Sequence, residues 1–155
     1  MTAHEVFYKN HGPTTTAYYA QLAKLGPIGR IALYLFRSQK TSTQAKRYHG
    51  EFKGVAYDTK NRSLVKLCEI LREHAEGCGI VWGFKRDPSA RTYNDMVLYV
   101  DLPNGQVSFH APQRIPDCPD YPGEWDQKHA SEERICAFCD SVINAANTKQ
   151  EALSL

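Results

Sequence analysis

The chain has 155 residues, 42% hydrophobic and 23% charged, with a formal net charge of +2; this is the profile of one ordinary domain that buries a core without metal or disulfide staples. It holds no run of about 18 uncharged apolar residues, and its polar start MTAHEVFYKNHG lacks the apolar centre of a signal peptide, so a soluble, cytoplasmic protein with no membrane partner is expected. Five cysteines without an export signal point to reduced thiols rather than a disulfide framework.

Thr2-x-x-Glu5 is a capping box that opens a short helix stopping at His11-Gly12-Pro13. Thr14 to Thr16 cap a second helix through Tyr18, Leu22 and Leu25, closed by Gly26. Pro27 suits the first turn of a third, running to about Gln39, where Ile28, Ile31, Ala32, Leu35 and Phe36 recur at helical spacing. From Arg37 to Lys66 the sequence is basic and rich in Ser, Thr and Tyr. Short helical pieces around Thr43 to Tyr48 are expected there, with FKGVAY a short strand or loop. Asn61 or Ser63 then caps a helix to about Glu76, with Leu64, Leu67, Cys68, Ile70 and Leu71 inward and Gly77 and Gly79 ending it.

GIVWGFK reads as a strand with Ile80, Trp82 and Phe84 on one face and Val81, Gly83 and Lys85 on the other. Residues 95–111 read as a β-hairpin centred on Asn104-Gly105, the pair a type I′ turn requires. That centring pairs Leu102 with Val107, Val100 with Phe109 and Leu98 with Ala111, leaving Tyr99, Asp101, Ser108 and His110 on the opposite face. Prolines keep residues 112–128 irregular, and a segment of that length is usually functional or a cover. A last helix begins at Ser131 with Ile135, Phe138, Cys139, Val142 and Ile143 inward. The expected architecture is α+β: a helical N-terminal half, a small antiparallel sheet containing the 95–111 hairpin, and a C-terminal helix packed on the sheet. Residues 1–148 form one globular domain in this reading, and 149–155 a tail.

The modest net charge hides an asymmetry. Residues 1–66 hold eleven Lys and Arg against Glu5, Glu51 and Asp58, whereas the remaining 89 hold eight against fourteen Asp and Glu. Such halves either attract each other or let one of them bind a polyanion. The first functional reading is therefore a small nucleic-acid-associated protein. It grips the phosphate backbone with Arg37, Lys40, Lys46, Arg47, Lys53, Lys60 and Arg62, and Tyr48, Phe52 and Tyr57 add stacking surface.

Two other readings compete. A metal-dependent hydrolase or nuclease would place a carboxylate–histidine site on the hairpin face, with Asp95, Asp101, Glu124 and Asp126 as ligands of a divalent metal and Lys85 and His110 assisting. A protein-interaction module or inhibitor would use the Pro/aromatic loop 112–128 for a protein partner, or the hairpin edge. Tyr99, Ser108 and Trp125 would form a platform on which a planar group stacks. Ser108, His110 and Asp101 do not make a nucleophilic triad, because positions i and i+2 on one strand stand about 7 Å apart at ~3.3 Å per residue. Cys136-x-x-Cys139 has the spacing of a zinc half-site that Cys78, Cys118, His110 or His129 would complete, but i, i+3 on an amphipathic helix is also core spacing, and no second CxxC exists. No resident cofactor or metal is expected under the first reading.

Overall fold

The structure is a computed structural model and describes residues 1–9, 12–48, 50–87, 96–111, 115–126 and 130–154. Helix α1 (Ala3–Tyr8) opens as the capping box requires, Thr2 Oγ1 accepting the Glu5 N–H at 3.2 Å. It ends at Tyr8, ahead of the expected stop. Helix α2 (Pro13–Ala23) starts one residue before the Thr cluster, because Pro13 takes the first-turn position where a missing N–H costs nothing.

Helix α3 (Gly26–Arg47) continues eight residues past Gln39 and absorbs the pieces expected around Thr43 to Tyr48. Beyond Phe36 its buried positions pass to Ser38, Ser42 and Ala45, so helical spacing persists in small side chains after hydrophobicity has faded. The hydroxyls are satisfied: Ser42 Oγ donates to Ser38 O at 2.7 Å, and Ser38 Oγ to Ser63 O at 3.3 Å on the next helix. In FKGVAY, Phe52 ends a short 3-10 turn at Gly50–Phe52 and the other five residues open that next helix, α4 (Lys53–His74), so the strand or loop expected there is corrected to helix. Ala56, Lys60, Leu64, Leu67 and Leu71 bury at helical spacing, and packing on α3 outweighs the propensity cost of Gly54 and Val55. Helices α3 and α4 thus form an antiparallel hairpin.

Strands β1 (Val81–Arg86), β2 (Met96–Leu102) and β3 (Gly105–Ala111) form an antiparallel sheet in sequence order. The hairpin register differs by two residues from the expected one: Leu102 pairs with Gly105, Val100 with Val107 and Leu98 with Phe109. Pro103 and Asn104 are the turn residues. Proline's fixed φ suits the first central position of an ordinary turn, Asn104 keeps a negative φ where type I′ demands a positive one, and Gly105 takes up φ +129° after the turn. A slip of two residues leaves each side chain on its original face. The apolar face therefore stands as expected, with Phe84, Leu98, Val100, Val107 and Phe109 in the main core beneath the helices.

Helix α5 (Ser131–Ser154) packs on α3 and β3 and carries Ile135, Phe138 and Cys139 into that core. It runs on through Lys149, Gln150, Glu151 and Ala152, good helix formers, where the sequence reading ended the domain at 148. Among the described residues no helix is long and apolar enough to cross a membrane.

Candidate functional site

Gly83, Lys85, Val97, Tyr99, Asp101, Gln106, Ser108 and His110 share the second face of the sheet. Residues 119–125 come over this face. Phe84 N–H donates to Pro119 O at 2.8 Å and Tyr121 N–H to Phe84 O at 3.2 Å, so the segment pairs with the outer edge of β1. Gly83 makes the approach feasible, since a Cβ there would lie 2.6 Å from both Cα and N of Tyr121. The Tyr121 ring is buried against Tyr99, centroids 5.5 Å apart, and Trp125 stacks on Tyr99 at 5.3 Å. Lys85 Nζ lies 4.9 Å from the centre of the Trp125 ring and donates to Gly123 O at 3.2 Å.

A polar network holds the cover from below. The Tyr121 hydroxyl donates to Asp101, whose Oδ1 also accepts from Gln106 Nε2 at 2.9 Å. Gln106 Nε2 stands 2.8 Å from Tyr121 Oη, and Gln106 Oε1 accepts the Asp126 N–H at 2.7 Å. Burial, then the hydrogen bond and negative charge of Asp101, push the Tyr121 hydroxyl up to about 12. From α5, Arg134 Nη1 donates to Gln106 O at 2.7 Å and Nη2 lies 3.7 Å from Asp126 Oδ2. Ser131 Oγ accepts the Ser108 N–H at 3.2 Å. The first turn of α5 thereby covers the outer edge of β3 as residues 119–121 cover that of β1, which protects both edges against pairing with another chain.

This arrangement decides where the expected hydrolase and platform residues fall. Tyr99 and Trp125 do come together, but as each other's stacking partner, and Ser108 is engaged by Ser131. Asp101 belongs to the network, and Asp126 faces Arg134. Glu124 has an exposed side chain, while its carbonyl lies 3.3 Å from Gln106 Nε2. His110 is exposed opposite Val97, four residues along β3 from Gln106, which is about 13 Å at ~3.3 Å per residue. The structure does not bring His110 to Asp101, and Asp95 lies outside the described residues. Among the described residues no group of three or more His, Cys, Asp or Glu is placed to hold a metal ion. Tyr121 lies in the Pro/aromatic loop that the sequence marks as functional or a cover, whereas nothing in the sequence points to Gln106 and Arg134; Gly83 inside an apolar strand is the signal of a close crossing.

The basic residues divide differently. Residues 26–74, which span α3 and α4, carry ten Lys and Arg against Glu51, Asp58, Glu69 and Glu73, and Glu69 Oε2 lies 3.3 Å from Lys66 Nζ. Lys40 and Lys60 point inward, only 5% and 6% exposed. Lys40 Nζ donates to Val6 O at 3.4 Å and Lys9 O at 3.3 Å, closing the C-terminal end of α1, and burial pushes its pKa down. Burial and then the charge of Lys46 do the same to Lys60. Arg37, Lys46, Arg47, Tyr48, Lys53 and Arg62 remain exposed. Arg37 and Arg62 meet Lys66, with Tyr34, Thr59 and Ser63, around an open cavity of about 410 Å³. The Arg37 guanidinium is steadied over the rings of Tyr19 and Tyr34 at 5.7 and 5.6 Å. Lys66 was not singled out from sequence, although it stands one turn from Arg62.

Cys136 and Cys139 are core thiols, as their helical spacing suggested: burial raises both, Cys136 to about 12, and Cys139 Sγ lies 3.4 Å from Ala32 O. Cys118 is buried and hydrogen-bonded with Cys68 on α4, and Cys78 is half-buried; His129 lies outside the described residues. Comparison with protein-family models, curated proteins and solved structures finds no match to this chain.

Proposed function

We propose that the protein binds nucleic acid by its phosphate backbone through the exposed face of the α3–α4 hairpin. The observation that carries this reading is the convergence of Arg37, Arg62 and Lys66 on one open groove of a helix pair with ten cations and four acids. Each guanidinium there can hold a phosphate through two parallel N–H donors, and the Thr59 and Ser63 hydroxyls offer neutral donors beside them. Lys46, Arg47 and Lys53 extend the positive surface toward the hairpin turn. Lys40 and Lys60, which sequence alone would count as phosphate contacts, are occupied inside the fold. The free, mostly buried thiols fit a reducing cytoplasmic setting.

The test is binding of a fluorescein-labelled oligonucleotide followed by anisotropy across a potassium chloride series. Backbone binding displaces condensed counterions, so the logarithm of the affinity falls linearly with the logarithm of salt. Absent binding, or binding indifferent to salt, would sink the proposal.

A further inference from the structure

We infer that the nucleic acid taken by this face is single-stranded, its phosphates along Arg37, Arg62 and Lys66 and its bases against Tyr48 and Phe52; this inference rests on the phosphate-binding reading above. Thr59 lines two adjoining cavities. On one side is the basic groove, and on the other a cavity of about 400 Å³ formed with Gln44, Tyr48, Phe52, Val55 and Ala56. Charge and apolar surface are therefore continuous along the α3–α4 seam. From Arg37 to Tyr48 the surface extends about 16 Å at ~1.5 Å per residue, enough for a short run of nucleotides.

The two halves ask for different chemistry. Arg37, Arg62 and Lys66 attract phosphate, which duplex and single strand both offer. Tyr48, Phe52 and Val55, exposed by 48%, 61% and 63%, gain only from a ligand that presents apolar faces. A duplex keeps its base faces inside the stack, whereas a single strand can lay them on aromatic rings while its backbone follows a positive groove. Lys46, Arg47 and Lys53 are exposed and stand within two residues of Tyr48 or Phe52 along the chain, so cations also adjoin the aromatic half. An apolar protein partner would not need this basic border, and it is an outcome the test separates.

The experiment compares a labelled single-stranded 12-mer with the same sequence as duplex at matched salt, for the wild type, Tyr48→Ala/Phe52→Ala and Arg37→Ala/Arg62→Ala. Tyr48→Phe/Phe52→Trp serves as the conservative control. The expected result is single-strand binding at least tenfold tighter than duplex binding. Tyr48→Ala/Phe52→Ala loses about tenfold or more on the single strand, the range of base stacking, with its salt slope unchanged. Tyr48→Phe/Phe52→Trp retains affinity, and Arg37→Ala/Arg62→Ala flattens the salt slope. Equal or tighter duplex binding, unaffected by loss of the rings, overturns the single-strand inference and leaves the phosphate reading standing. Absence of salt-dependent binding to either form overturns both.

Discussion

Trp125 stacks on Tyr99 with ring centroids 5.3 Å apart and planes 24° apart, so the face of the sheet that the sequence offers as a binding platform is filled by the protein's own indole. The stack anchors the far end of a cover whose near end is sewn to β1 at Phe84. Trp125→Ala should lower unfolding free energy by about 2–3 kcal/mol, less than for a fully buried Trp because the indole is half-exposed. Urea unfolding measures it, and an unchanged midpoint would show that the cover does not depend on the stack.

The same cover depends on a missing side chain. Gly83→Ala places a methyl 2.6 Å from two backbone atoms of Tyr121, and neither strand nor segment can yield cheaply. A loss of about 2–3 kcal/mol is expected, the upper part of the range for overpacking. In a chain of this size, that would lower the melting temperature by roughly 4–12 °C. Gly54→Ala, where nothing lies within 4 Å, is the control and should not destabilise.

Tyr121 gives the network a pH signature. Its hydroxyl stays neutral in the fold up to about 12, whereas in the unfolded chain it ionises near pH ~10. The unfolded state therefore releases the proton first, and stability falls as pH rises through that window. Tyr18, whose hydroxyl burial also holds neutral, adds to the same decline. Tyr121→Phe should cost about 1–2 kcal/mol at neutral pH and show a shallower decline between pH ~10 and ~12 than the wild type. Parallel slopes would mean that Tyr121 is not held neutral by Asp101 and burial.

Much of this fold is written in short-range pattern. The Thr2 cap, the apolar stripe from Ile28 to Phe36, the inward faces of α4 and α5 and the two faces of the hairpin all follow from spacing. What escaped has specific causes. The second half of α3 buries Ser38, Ser42 and Ala45, which no hydrophobic period reveals, and Pro103 moved the hairpin turn by favouring a different central position. The Asp101–Gln106–Tyr121 network depends on a crossing of residues far apart in sequence. Likewise, sequence counts Lys40 and Lys60 among surface cations because their burial is decided by the packing of α1, α3 and α4.

Lys40 separates structural from ligand-binding charge. Lys40→Met removes the ammonium that closes α1 and should cost about 1–2 kcal/mol, since charge-assisted hydrogen bonds are lost while the cost of burying a charge is relieved. Oligonucleotide affinity and its salt slope should not change. A flattened slope for this variant would mean that Lys40 reaches phosphate after all.

The most direct measurement compares the salt dependence of single-strand binding for the wild type and Arg37→Ala/Arg62→Ala/Lys66→Ala. Removing three phosphate contacts should reduce the slope of log affinity against log salt by about two, at ~0.7 per contact, with unfolding free energy little changed. Equal slopes for the two proteins would contradict the assignment of this groove as the phosphate-binding surface.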